Sequence, residues 1–481
     1  MMVSPSHALD PRCLEERLPS PCRKSFRLYG QFMVALDLAG EWWLPSQPDR
    51  KIGGRLTYSP DDGIELELIG LLNKDSADSS LTLAIEPDQQ GSALTASGNY
   101  GRLHGQVSTT AYTLDGCFQV RSHRNLLGGT PTETIHANQL YRGAWYEPDE
   151  TVVASKLRCR LLHLPYWITT SALNTTWSHP VASVGETQAI VAITRVPDIS
   201  IPLREGYRAC IVQTIGTSGD GITRSSIEQY LVLTIEAPST TDYLDLMAFM
   251  QDVQDVLSVA FNRTACIEEV SLFDPALTRG EGKGSRQIPV EVVARWSDRD
   301  GWREPRLLTE YDRFFSYEDI GGAPGLAELV DTATRFRSEL RRVMATRSGR
   351  SMFPSDRLVN RSAALESLDK ERTGYSSSSL RTRLRRCAEL AGEPFSNLVG
   401  DVESWIARFK DRRDLHAHHL ERSPDDGGFI DVVLADTAYI LFVLCLLRTA
   451  EAPKEVFDRL PCNSEYLWLR SQVHAILPPP E

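Results

Sequence analysis

The stretch RRDLHAHH, Arg412–His419, gathers guanidinium, carboxylate and imidazole groups within eight residues. Arginine plus histidine without a metal cluster suits cleavage of an RNA phosphodiester. The ribose 2′-hydroxyl is a built-in nucleophile, and histidine shuttles protons at neutral pH. A planar guanidinium can steady the negatively charged phosphorane through two parallel hydrogen bonds. Asp414 and His418 stand four apart, so on a helix they are neighbours, and the carboxylate could fix the imidazole's tautomer. Arg413 and His418, by contrast, point about 140° apart on an ideal helix. Both serve one site only if the helix ends or bends between them, or a second subunit contributes. Two other chemistries share these residues. His416, His418 and His419 offer imidazoles to zinc, though without a carboxylate or cysteine at a familiar spacing. A solvated helix end with cations complementing the dipole needs no chemistry at all.

These groups must be carried by a helix. Leu398, Val402, Trp405 and Phe409 recur at helical spacing within a predicted helix Phe395–Leu415. Continuing that stripe puts Arg413 in its middle, where a cation must be paired, at an interface or in a wet cleft. Further helices are expected over Leu326–Thr346, Arg357–Arg372, Leu380–Ala391, Ile430–Ala450 and Asn463–Ile476, with glycine and proline breakers between them. Glu366 on the second of these is a candidate partner for the arginine. From Arg55 to about Ala237 the texture differs. Ile64, Leu66 and Leu68 alternate with Glu65 and Glu67, and similar short runs at Leu81–Ile85, Leu157–Leu164, Gln188–Val196, Ala209–Ile215 and Gln229–Ile235 predict a mostly antiparallel sheet, sandwich or open barrel. Ser239–Asp242 supplies N-cap candidates for a helix carrying Leu246, Phe249, Met250, Val253 and Leu257. Two more strands, Cys266–Phe273 and Gln287–Trp296, flank the loop RGEGKG, Arg279–Gly284, which lacks the Ser/Thr and following helix of a P-loop and reads as a hairpin connection.

The fold class that follows is α+β and multidomain: a mostly antiparallel β domain followed by an all-α helical bundle. The divisions are a poorly ordered lead-in at 1–24, an N-terminal domain at 25–320 that is β-rich to about 238, and a helical domain at 321–481. The 481 residues, 41% hydrophobic and 24% charged, exclude wholesale disorder and a polytopic membrane protein. Nine scattered cysteines without a CxxC pair point to reduced thiols in a cytoplasm. The apolar run Ala438–Leu447 is ten residues, half of a bilayer span, and reads as a buried helix. Charge is unevenly placed. Residues 335–422 hold 19 Lys+Arg against 12 Asp+Glu, a local +7, while the chain as a whole carries −12, leaving −19 for the remainder. One segment could thus attract phosphates that the rest repels.

Arg413 to His418, RDLHAH, resembles the Arg-x(4–6)-His signature of HEPN ribonucleases, and it sits late in a long helix of a C-terminal all-α domain. The N-terminal part is similar to ApeA-type antiphage proteins in FRLYG (Phe26–Gly30), GEWWLP (Gly40–Pro45), GGRLTY (Gly53–Tyr58), IELELIG (Ile64–Gly70) and LPYWI (Leu164–Ile168). FSYEDI (Phe315–Ile320) and LVNRSAALESL (Leu358–Leu368) carry the likeness into the helical half. The resemblance implies a β-rich ApeA domain fused to a HEPN nuclease used in abortive infection. It implies Arg413 and His418 as the catalytic pair and Asp414 as the polar residue after the arginine; Arg412 and His419, the basic residues flanking them, are candidates for RNA binding. It further implies no metal and no cofactor, a homodimer whose motifs face each other, RNA (transfer RNA included) as substrate and a phage-derived trigger; the short apolar run separately predicts no membrane partner. Where asparagine is frequent after the arginine this chain has aspartate, an added negative charge that Arg412 or His418 must offset. The alternative from the same resemblance is a catalytically inactive HEPN-fold protein that binds a phage component.

Overall fold

The computed structural model describes residues 35–59, 61–72, 98–123, 129–178, 186–220, 222–280, 285–294, 312–348, 352–417 and 428–477. The expected lead-in at 1–24 and the expected strand Leu81–Ile85 lie outside these residues. Apolar–polar alternation first builds a barrel. β1 (Leu36–Trp43), β2 (Ile52–Ser59), β3 (Gly63–Ile69), β4 (Asn99–Val107), β5 (Thr110–His123) and β6 (Thr132–Ala137) pair antiparallel in the order β5-β4-β1-β2-β3-β6, and β6 returns to β5 to close the ring. Ile64, Leu66 and Leu68 point inward, as their spacing predicts, beside Trp42, Leu56, Tyr112, Leu114 and Ile135.

β7 (Gln139–Arg142) continues almost directly from β6. The long strand β5 pairs with both, through Phe118–His123 for β6 and Tyr112–Asp115 for β7. Gly116 sits at this corner with φ +64, and a Cβ there would lie 2.4 Å from Asn138 Nδ2. A glycine is needed to let the chain turn from one sheet into the next. Of the expected sheet, sandwich or open barrel, the chain makes a closed barrel that hands one strand to a second, open antiparallel sheet.

That sheet runs β7-β15-β14-β8-β13-β12-β11, built from β8 (Val153–Leu161), β11 (Ile199–Pro202), β12 (Arg208–Gly219), β13 (Ser225–Asp242), β14 (Ile267–Arg279) and β15 (Arg286–Ala294). The late strands β14 and β15 form an antiparallel hairpin across the glycine-rich loop and lie centrally, joining β8 to β7. A short helix, α1 (Leu164–Ile168), follows β8, and β9 (Leu173–Trp177) and β10 (Ala189–Ile193) make a separate two-stranded ribbon.

α2 (Tyr243–Phe261) begins where the sequence places it. The Asp242 side chain accepts a hydrogen bond from Leu244 N at 2.9 Å, and Asn262 ends the helix in a left-handed conformation. Its apolar residues are buried on both faces, between the second sheet and the helices that follow. Asp255, a partly buried residue of α2, is pushed up to about 7 by burial and by Asp252, against the pull of Arg341. Its carboxyl therefore stays protonated in the folded state where the unfolded chain ionises. Stability from this group is present at low pH and declines as pH rises from about 4 through 7. Asp255→Asn is expected to remove that decline and to be more stable than wild type at pH 8, by on the order of 1–2 kcal/mol. Melting temperatures across pH 4.5–8 check this, and parallel profiles for the two proteins would refute it.

The helical half comprises α3 (Gly322–Arg335), α4 (Arg337–Ser348), α5 (Pro354–Thr373), α6 (Leu380–Ala391), α7 (Glu393–Val399), α8 (Val402–Ala417), α9 (Gly428–Thr449), α10 (Lys454–Arg459) and α11 (Ser464–Ile476). Two predicted helices are broken. Leu326–Thr346 divides at Phe336, whose backbone leaves the helix (φ −102, ψ 30) so that Arg337 turns onto Asp252 of α2. Phe395–Leu415 divides at Gly400 (φ +74), after which Asp401 caps α8 by accepting from Glu403 N and Ser404 Oγ. α9 is long and apolar enough to cross a membrane by length and composition, yet nearly all of Val433–Leu447 is buried as the core of the bundle. The seven cysteines among the described residues are free thiols.

Candidate functional site at the end of helix α8

Leu398 belongs to α7, so the apolar stripe continues across two helices rather than along one. Trp405, Ile406 and Phe409 are fully buried on α8. Trp405 donates from Nε1 to Thr437 Oγ1 at 2.8 Å and stacks on Phe409, which fixes α8 against α9. One turn beyond, the polar groups begin, and α8 remains helical through Ala417. His418 and His419 lie outside the described residues, as does the expected Asp414–His418 contact.

Arg413, 27% exposed, is paired, as its place on the inward stripe demands. Its Nη2 lies 3.3 Å from Oε1 of Glu366 on α5, and its Nη1 lies 3.0 Å from Oδ1 of Asp414. Glu366 also accepts from Ser362 Oγ at 3.4 Å. Arg413 Nε is buried with no partner among the described residues. The other oxygen of Asp414 accepts from Lys410 Nζ at 2.7 Å. Burial raises the Asp414 carboxyl, but its bonds to Lys410 and Arg413 outweigh this and hold it below the usual carboxylate range. The aspartate's charge, which the sequence assigns to Arg412 or His418 to offset, is met by Lys410 and Arg413.

Arg412 faces a different acid. Its Nε and Nη2 donate to the two oxygens of Asp431, at 2.7 and 2.8 Å. Asp431 opens α9 and is 5% exposed; its Oδ2 also lies 2.8 Å from His416 Nε2. Arg412 is thus held by a buried carboxylate. Of the histidine trio weighed for zinc, His416 alone lies among the described residues, and its Nε2 rests on Asp431. Asp431 is the polar residue that sequence reasoning does not assign, and His416 enters that reasoning only as a candidate zinc ligand. The four-residue step from Arg412 to His416 is visible in the sequence, but nothing there brings Asp431 to it.

Much of the basic segment's charge is likewise met inside the protein. Arg361 pairs with Asp436 at 2.6 Å, Arg381 and Arg385 share Glu403, and Arg372, Arg383 and Arg386 surround Asp369.

A family model described as ApeA N-terminal domain 1 matches residues 37–323, covering the barrel, the second sheet and α2. No curated protein and no solved structure matches the chain. The match ends as the helical half begins, so it speaks to the β-rich part and α2, and it carries an antiphage-defence context with it. On that match, the chain belongs to the ApeA N-terminal domain 1 family.

Proposed function

We propose that the protein is a metal-independent endoribonuclease of antiphage defence, with a HEPN-like helical half that cuts RNA by attack of the 2′-oxygen on the adjacent phosphorus. The observation that carries this reading is Arg413, a partly exposed guanidinium at the end of α8, beside the segment that holds His418. Its partners Glu366 and Asp414 are both partly exposed, so an RNA phosphate can compete for it. His418 supplies the proton transfer, and a second copy of the chain, meeting it through the helical half, brings the two motifs together. The β-rich part senses a phage-derived trigger or restrains the nuclease, and the protein works in the cytoplasm. The test is incubation of purified protein with total and transfer RNA in excess chelator, followed by mapping of the ends. Fragments ending in a 2′,3′-cyclic phosphate are the expected result; intact RNA, with and without phage lysate, refutes the reading.

A second reading is favoured by one feature of the same site. Both terminal nitrogens of Arg413 already rest on carboxylates, which is the arrangement of a structural arginine. In that case the helical half is a non-catalytic binding module, and phage protection survives loss of Arg413.

A further inference from the structure

The open sheet has two faces, and the interior shared with the helices uses one of them. Leu157 and Cys159 of β8, with Leu233 and Ile235 of β13, are buried there against α2. The alternate residues Lys156, Arg158 and Arg160 stand on the opposite face, about 7 Å apart along β8. Beside them are Phe273 of β14, opposite Lys156, and Tyr230 of β13, diagonal to Arg160. Phe273 is 7% exposed yet belongs to neither hydrophobic core. Cations lie over it instead: Lys156 Nζ is 4.4 Å and the Arg158 guanidinium 5.3 Å from its ring centre. The Arg160 guanidinium is 4.7 Å from the ring centre of Tyr230.

We propose that this outer face of the open sheet binds single-stranded RNA. Lys156 and Arg158 take phosphates, and Arg160 laid on Tyr230 makes a platform on which a base stacks. The carboxylates on the face decide these roles. Arg160 is tied to Glu269 at 3.3 Å and to Glu268 at 3.9 Å, which holds its plane in place. Glu236, across from Lys156, is taken by Arg208. Among the described residues no carboxylate pairs with Lys156 or Arg158, and Arg158 is exposed. A phosphate chain binds by displacing counterions from cations of this kind. Unstacked bases settle on aromatic rings and guanidinium planes, which the paired bases of a duplex cannot reach. Thr234 and Ser271 flank Arg158 on the two neighbouring strands and offer hydroxyls to a ribose 2′-oxygen, the group that distinguishes RNA from DNA. None of the Arg413 groups takes part, so the inference does not rest on the ribonuclease reading. It gives the sensing role of the β-rich part a ligand class.

The experiment follows a labelled single-stranded RNA of about 12 nucleotides by fluorescence anisotropy over a range of salt concentrations. The full chain is used in chelator and carries Arg413→Ala throughout, so that the RNA stays whole. Adding Lys156→Ala and Arg158→Ala together is expected to weaken binding at least about tenfold. The slope of log affinity against log salt should fall by about 1.4, two phosphates at about 0.7 each. Tyr230→Leu is expected to weaken binding about fivefold or more without changing the slope. Melting curves on the same samples check the fold. Independently of these variants, photocross-linking of a 4-thiouridine RNA is expected to place adducts on peptides of β8, β13 or β14. Unchanged affinity and slope in the double variant overturn the proposal, as do adducts confined to the helical half. A duplex, or a DNA strand of the same sequence, that binds as tightly as the single-stranded RNA also overturns it. Cleavage is read in no arm, so failure of the ribonuclease reading and failure of this inference are separate results.

Discussion

Arg413→Ala and His418→Ala are each expected to lower RNA cleavage by about three orders of magnitude and to relieve toxicity in cells, with the fold intact. Removing one donor to a developing oxyanion costs about 10²–10³ in rate, and removing a general acid costs about 10²–10⁴. The loss is catalytic rather than structural because the ion pairs of Arg413 are only partly buried. Pairs of this kind contribute about 0–1 kcal/mol, and Glu366 keeps its contact with Ser362 when the guanidinium is gone. Arg413→Lys should rescue little, since an ammonium is a point charge and cannot present two parallel donors to one phosphate. Cleavage of a defined transfer RNA by wild type and variants, with melting curves on the same samples, checks this. Undiminished cleavage in Arg413→Ala removes the assignment, and undiminished phage protection without cleavage in any variant supports the binding-module reading.

Asp369→Ala is the opposite case, with a large structural effect expected. Asp369 is fully buried near the end of α5, with Arg372, Arg383 and Arg386 around it. Arg386 reaches both of its oxygens, one at 3.0 Å. Arg383 is itself nearly buried and ties three backbone carbonyls, of Glu366, Ser376 and Ser378, into the α5–α6 connection. Deleting one member of a buried ionic cluster leaves the others desolvated and unmatched, which typically costs about 3–5 kcal/mol. Asp369→Asn keeps the shape and loses only the charge, so its cost should be smaller. Denaturant unfolding followed by far-ultraviolet circular dichroism measures both, and a loss below 1 kcal/mol for Asp369→Ala would refute the argument. Because the cluster holds the helix that carries Glu366, Asp369→Ala should also impair whatever the Arg413 site does.

Parts of this architecture are plain in the sequence, for local reasons. Alternation at Ile64–Leu68 reports a strand with one wet face, Asp242 reports a helix start, and Ser379 with Gly392 brackets α6 at the residues where it begins and ends. The breaks are harder to see. At Gly400–Asp401 the signals are present, but the apolar stripe runs through them because α7 and α8 both pack on the same core, so periodicity conceals the turn. At Phe336 there is no breaker residue, and the kink arises from tertiary pull, with Phe336 entering the core and Arg337 reaching Asp252. Barrel closure is decided by β5 pairing with two successive strands, a long-range choice that no window of sequence contains. The site divides in the same way. Arg413 is marked by a cation on an apolar stripe, whereas Asp431, at the head of a very apolar helix, gains its meaning only when Arg412 and His416 arrive from another element.

The distribution of cores bears on how such a protein can be rebuilt over evolutionary time. The barrel encloses its own interior, into which the second sheet sends Leu140 and Val293. The second sheet, α2 and the helices share another interior that passes without a seam through Phe314, Phe315 and Leu326, across the place where the family match stops. Recombination can therefore exchange the barrel as a cassette with few compensating changes. The remainder must be inherited as one co-adapted block, because any crossover within it would join two halves of a core that had never packed together.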